Sequence, residues 1–211
     1  MRNLAITHML LAAALAGAGA TAGAMAQTPP TAPTALEQTR RTLDETRVII
    51  DSDRPHNDKL KALHELLEGF LDTDTMGRTA LDQHWGVFTA AQQKEFLSLF
   101  RELFQRTYVQ KLLLFDRPDF EYVGQEREGD HVRVDTKILT PRDDFAVTYQ
   151  FRERDGGWHA FDIRIEDLSL TTNFRRQLDR LLAKTSPANL LDRMRRKYGN
   201  AGEDEEPEAG F

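Results

Sequence analysis

The chain contains no cysteine in its 211 residues. That excludes a disulfide framework, a cysteine-ligated metal site and a lipid-modified N-terminal cysteine. Long apolar runs are almost as scarce. The strongest, from about Met9 to Ala20, falls short of the ~20 residues that span a bilayer and is interrupted by Gly17 and Gly19. With Arg2 ahead of it and Ala24-Met25-Ala26 behind, it has the layout of a secretory signal peptide, residues 1–26, cleaved after Ala26. An exported chain without cysteine fits a free periplasmic protein. Basic stripes with interleaved aromatics are missing too. The formal net charge is −6, and Glu203, Asp204, Glu205, Glu206 and Glu208 crowd into the end GEDEEPEAGF. Residues 200–211 therefore read as an acidic disordered tail on a nearly neutral body, and no nucleic acid is expected as a partner.

Catalytic signatures are equally sparse. The six histidines have no metal-ligand spacing, and there is neither a G-x-S-x-G elbow nor a phosphate loop. Asp72-Thr73-Asp74-Thr75-Met76-Gly77 starts like a calcium loop but puts Met76 at position five and Gln83 at position twelve. Asp74 is better read as a helix cap. His84 beside Trp85 could act as a general base with Asp162 as its partner, yet nothing in the sequence joins them. No catalytic residue, metal ligand or cofactor is assigned, and the protein is not expected to be an enzyme.

What is present is periodicity. Leu36, Leu43 and Ile50 recur every seven residues on a helix from Ala35 to Ile50. Leu60, Leu63, Leu67 and Phe70 mark a second helix after Pro55, and a short third covers Thr75 to Gln83. Thr89-Ala90-Ala91-Gln92 is a capping box, opening a long helix striped with Phe96, Phe100, Phe104, Tyr108 and Leu112 that ends near Phe115. Four strands come next: Phe120 to Glu126, His131 to Leu139, Phe145 to Arg152 and Trp158 to Glu166, joined by short turn-rich links. In the last, Phe161, Ile163 and Ile165 alternate with Asp162, Arg164 and Glu166, and the strand passes its buried face directly to a helix capped by Ser169. Arg175 and Arg176 on that helix read as a solvated face. Ser186-Pro187 opens a final helix. The pattern is α+β: a four-stranded antiparallel sheet with helices packed on its apolar face, forming a single domain over residues 27–199. Periodicity alone favours an ordinary aromatic core over a ligand cavity, because such rows usually fill a core.

Three stretches together resemble the MlaC family, periplasmic phospholipid-binding proteins also called toluene-tolerance proteins. They are LDTDTMGRTALDQHWGVFTAAQQKEFLSLFRELFQRTY (Leu71 to Tyr108), VTYQF (Val147 to Phe151) and GGWHAFDIRIEDLSLTTNFRRQL (Gly156 to Leu178). The W-x-x-x-D-I strand running into S-L-x-x-N-F-R is the most specific part. One departure stands out: the family usually carries a small residue, often glycine, where this chain has Asp167. The resemblance implies a carrier that moves a glycerophospholipid between inner and outer membranes and maintains outer-membrane lipid asymmetry. Its implied partners are an inner-membrane ABC transport complex with a mammalian-cell-entry domain protein and an outer-membrane lipoprotein–porin complex. On this reading the sheet and helices enclose a lipid cavity whose candidate lining is Phe100, Phe104, Tyr108, Val134, Ile138, Val147, Tyr149, Phe151 and Ile163. Two other readings stay open, a small-molecule enzyme with a cone-shaped apolar pocket and a non-lipid envelope adaptor.

Overall fold

The computed structural model describes residues 33–114, 118–141 and 143–199. The expected signal peptide and acidic tail lie outside them, as do the expected helix end at Phe115, the helix-stopping Asp116 and Arg117, and the turn residue Arg142.

Helix α1 (Ala35–Asp51) begins at a capping box that the sequence reading did not single out: Thr34 and Glu37 each satisfy the other's backbone N–H. The hydrogen bonds from Thr34 hold the Glu37 carboxyl below its usual range. The buried stripe of α1 is as much threonine as leucine. Thr39, Thr42 and Thr46 lie beside Leu43 and Ile50, and the Thr39 and Thr46 hydroxyls donate to carbonyls one turn back, Ala35 at 2.7 Å and Thr42 at 2.9 Å. Helix α2 (His56–Glu68) buries Leu60, Leu63 and Leu67. Helix α3 (Thr73–Leu81) is capped by Asp72 and not by Asp74. Because the helix starts at Thr73, the carboxylate one residue earlier reaches the Thr75 N–H (2.9 Å), while Asp74 points out to Arg101 (3.0 Å).

A 3-10 segment (Asp82–Val87) leads to α4 (Ala90–Phe104), whose Thr89–Gln92 capping box is closed in both directions. The expected unbroken helix is instead interrupted by a π turn (Gln105–Val109) before the short α5 (Gln110–Leu112). The wider turn rotates the remainder of the helix, bringing Tyr108, Val109, Lys111 and Leu112 onto one wall.

The sheet has five strands, not four: β1 (Asp119–Glu128), β2 (His131–Leu139), β3 (Asp144–Arg154), β4 (Gly157–Ile165) and β5 (Leu168–Ser169), neighbours in that order and antiparallel. The fifth exists because Glu166 and Asp167 both adopt left-handed φ (48° and 64°) in a two-residue hairpin. The chain therefore doubles back, pairing Leu168 with Ile165 and Ser169 with Arg164, before α6 begins. Aspartate, as at position 167, is among the few side chains that tolerate this backbone. Asp155 and Gly156 make the same kind of turn between β3 and β4.

Across the apolar face, register places Val132, Phe151 and Ala160 in one row, Val134, Tyr149 and Ile163 in the next, then Thr136, Val147 and Ile165, and finally Phe120, Ile138 and Phe145. A β-bulge interrupts β4: Phe151 pairs with Ala160 but Gln150 with Asp162. The residue left over is Phe161. Contrary to the expected alternation, it turns away from Ile163 and Ile165 to the outer face, 5.8 Å from the His131 ring and beneath Arg152. On its other edge β4 is covered by the corner between α2 and α3, where the Ala160 N–H donates to the Phe70 carbonyl (2.9 Å) and the Asp72 N–H to the Ala160 carbonyl (2.8 Å).

Helix α6 (Leu170–Leu182) starts on the Ser169 cap, and α7 (Pro187–Met194) on Ser186 with proline at its first position. A closing π turn (Arg195–Gly199) ends the described chain. These helices pack with α3 and α4 around Phe96, Phe100, Phe174, Leu178, Leu190 and Met194. Gly77 is where α3 presses against α4: a Cβ there would lie 3.0 Å from the Phe100 ring and 3.0 Å from Leu97. Gly77→Val, which adds two further methyls to that contact, should destabilise the fold by ~1–3 kcal/mol, read as a lowered urea midpoint at unchanged slope.

Candidate functional site

Where α1, α2 and the α4–α5 stretch lean over the sheet, they do not close on it. They leave a cavity of about 300 Å3, at the lower end of the ~300–1,000 Å3 range of ligand pockets. The sheet floor is Phe120, Ile138, Phe145, Val147, Tyr149, Ile163 and Ile165; the walls are Leu43 and Thr46 from α1, Leu67, Phe70 and Leu71 from the α2 end, Phe104 to Leu112 in part, and Leu170. At one end the lining is fully buried, as at Phe70, Phe104, Val109 and Val147, each 2 % exposed. Lys111, Leu112, Phe120, Ile138 and Phe145 are only half-buried.

Polar groups in this lining are spent within the protein or neutral, Lys111 apart. Thr46 donates to its own helix. Burial pushes the Tyr149 phenol well above its ordinary range, against a smaller downward pull from its hydrogen bond with Thr136. Burial likewise raises Tyr108, whose hydroxyl pairs with Asn173. Both tyrosines are thus uncharged at neutral pH. Among the described residues, no aspartate, glutamate or histidine lines the cavity.

Of the expected lining, Phe104, Tyr108, Ile138, Val147, Tyr149 and Ile163 meet around this space. Phe100, Val134 and Phe151 lie elsewhere in the packed core. Phe100 faces α6, its ring 5.0 Å from Phe174, and Phe151 is held edge-on against Phe70 at 5.2 Å. Sequence reasoning missed the contributions of α1 and α2, above all Leu43, Thr46, Leu67 and Phe70. It also missed Phe120 and Ile165, which the row alternation could have supplied.

His84 and Asp162 are not partners. His84 Nε2 sits 2.9 Å from Asp179 Oδ1, whereas the buried Asp162 accepts from the Thr171 N–H at the start of α6 (3.2 Å). Arg175 is not a free cation on a solvated face: it donates to the Thr79 carbonyl (3.2 Å) and lies 3.6 Å from Asp82. Among the described residues no cluster of metal-ligating side chains occurs, and no helix is long and apolar enough to cross a membrane.

An α+β domain with an antiparallel meander on one side, helices on the other and an apolar cavity between them defines the class. Residues 37–196 match the family described as MlaC protein; the chain belongs to the MlaC family. Among solved structures, a phospholipid-binding protein from Ralstonia solanacearum in complex with a phospholipid shares the fold, with a TM-score of 0.69 at 19% sequence identity, over 78% of this chain and 97% of that one. No curated protein sequence matches.

The distinction between open space and packed core can be measured without a ligand. Ile163→Phe places a larger ring toward the cavity and should change stability by less than ~1 kcal/mol, whereas Phe100→Trp, deep in the core, should cost ~1–3 kcal/mol. Paired urea titrations compare them; equal losses would mean that the space near Ile163 is filled.

Proposed function

We propose that this protein is a periplasmic phospholipid carrier, not an enzyme, shuttling a glycerophospholipid between inner and outer membranes and so maintaining the lipid asymmetry of the outer membrane. The observation that carries this reading is the apolar cavity between sheet and helices, in a chain of the MlaC family whose fold is that of a protein holding a phospholipid. The described lining is apolar apart from Thr46, Tyr108, Lys111 and Tyr149, which suits holding acyl chains.

The physical task matches the site. At ~0.8 kcal/mol per buried methylene, two acyl chains of about fifteen methylenes each resist transfer into water by roughly 20 kcal/mol. A cavity of apolar side chains replaces water around the methylenes that it encloses, with no energy source of its own. Phe104, Tyr108, Ile138, Val147, Tyr149 and Ile163 contact the tails in this reading. Phe100, Val134 and Phe151 pack behind the wall, and the head group stays near solvent. Direction of transport comes from partners: an inner-membrane ABC transport complex with a mammalian-cell-entry domain protein on one side and an outer-membrane lipoprotein–porin complex on the other.

Mild purification followed by native mass spectrometry and solvent extraction should return a stoichiometric phospholipid. A protein that holds none and takes none up from liposomes is not a carrier. Within the site, Ile163→Arg should abolish loading with folding retained, because Ile163 is only half-buried, so the guanidinium can reach water while its stem obstructs the cavity floor. A folded Ile163→Arg protein that loads normally would place the tails elsewhere.

A further inference from the structure

Among the described residues, one charged side chain lines the cavity. Lys111 stands on α5 among aliphatic and aromatic neighbours and is half-buried; its carbonyl accepts from the Leu114 N–H, but its ammonium has no hydrogen-bond or ion-pair partner among the described residues. Three cations on the helices around it are occupied. Arg47 meets Asp119 at 2.7 Å, Lys59 donates to the Ile50 carbonyl at 2.7 Å, and Arg101 holds Asp74 at 3.0 Å. A lysine stem can cover apolar wall while its ammonium reaches toward water. An ammonium so placed is partly desolvated and has donors to spare, which favours an anionic oxygen brought to it over bulk water.

Tails lying in the cavity would bring such an oxygen within reach. We propose that Lys111 is the head-group subsite: its ammonium hydrogen-bonds the phosphate of the cargo, and it selects glycerophospholipids of net negative charge over zwitterionic ones. This rests on the carrier reading above. The selection comes from competition, since a zwitterionic head group carries its own cation beside the phosphate and weakens the attraction of a second, whereas a glycerol head group leaves the phosphate charge uncompensated. Tyr108 and Leu112, beside Lys111 on the same wall, contact tails and give no head-group preference.

The test loads wild-type protein, Lys111→Met and Lys111→Arg from liposomes doped with labelled phosphatidylglycerol, phosphatidylethanolamine or diacylglycerol. Methionine keeps an unbranched stem and removes the charge. Wild type should prefer phosphatidylglycerol to phosphatidylethanolamine by several-fold. Lys111→Met should lose roughly tenfold in phosphatidylglycerol affinity, the weight of about one charge-assisted hydrogen bond, and with it the preference. Lys111→Arg should keep both. Diacylglycerol, which has no phosphate, should load equally in wild type and Lys111→Met. Retained preference in Lys111→Met, or an equal loss for diacylglycerol, overturns the subsite and leaves the carrier standing. If wild type loads none of the three lipids, the carrier reading falls and the subsite with it.

Discussion

The ring of Phe70 is the wedge on which the arrangement turns. It lies edge-on to Phe151 at 5.2 Å and to Tyr149 at 5.6 Å, while its own carbonyl accepts from Ala160. Two residues on, Asp72 hydrogen-bonds Ala160 through its backbone, caps α3 through one carboxylate oxygen and meets Arg154 at 2.8 Å through the other. One short corner thus ties two helices to the sheet at a single end. On one side of Phe70 the aromatic rings close into a solid core with α3, α4 and α6; on the other the helices stand off and leave space. An aromatic ring resists compression and prefers edge-to-face contact, so it holds that separation better than a flexible aliphatic side chain would.

Much of this was readable from the residues. Capping hydroxyls at Thr89, Ser169 and Ser186 marked helix starts because each supplies an acceptor that an exposed helix end needs. Strand alternation and the Asp155-Gly156 turn marked the meander for a similarly local reason. The misreadings arose where a choice is made at a distance. Asp72 and Asp74 are equally good caps on paper, and only the packing of the α2–α3 corner on β4 decides between them. The turn at Glu166-Asp167 lacks the glycine that announces a hairpin, so β5 passed unseen. The π turn leaves no mark in an apolar stripe that remains continuous through it.

The cavity was the least legible element. Phe100 and Phe104 are consecutive positions on one helical stripe with the same chemistry, yet Phe100 is locked edge-on against Phe174 at 5.0 Å, while Phe104, 6.5 Å from the same ring, also faces open space. What separates them is the distance between elements, which no single element's periodicity encodes. The threonines of α1 are a partial exception. Thr46, the one of them in the cavity lining, bonds back to its own helix and so is polar only toward itself.

The bulge at Phe161 makes the character of the cavity a matter of counting. Paired one for one beyond Phe151 and Ala160, β4 would set Phe161 opposite Gln150, Asp162 beside Tyr149, and Arg164 beside Val147, putting an acid and a cation on the cavity floor. The single unpaired residue reverses that parity, so Ile163 and Ile165 face the cavity and the two charges face away from it. Composition in this strand is therefore neither oily nor ionic until the offset is fixed. The same residues could floor a dry chamber or a charged one, and one uncounted position decides which.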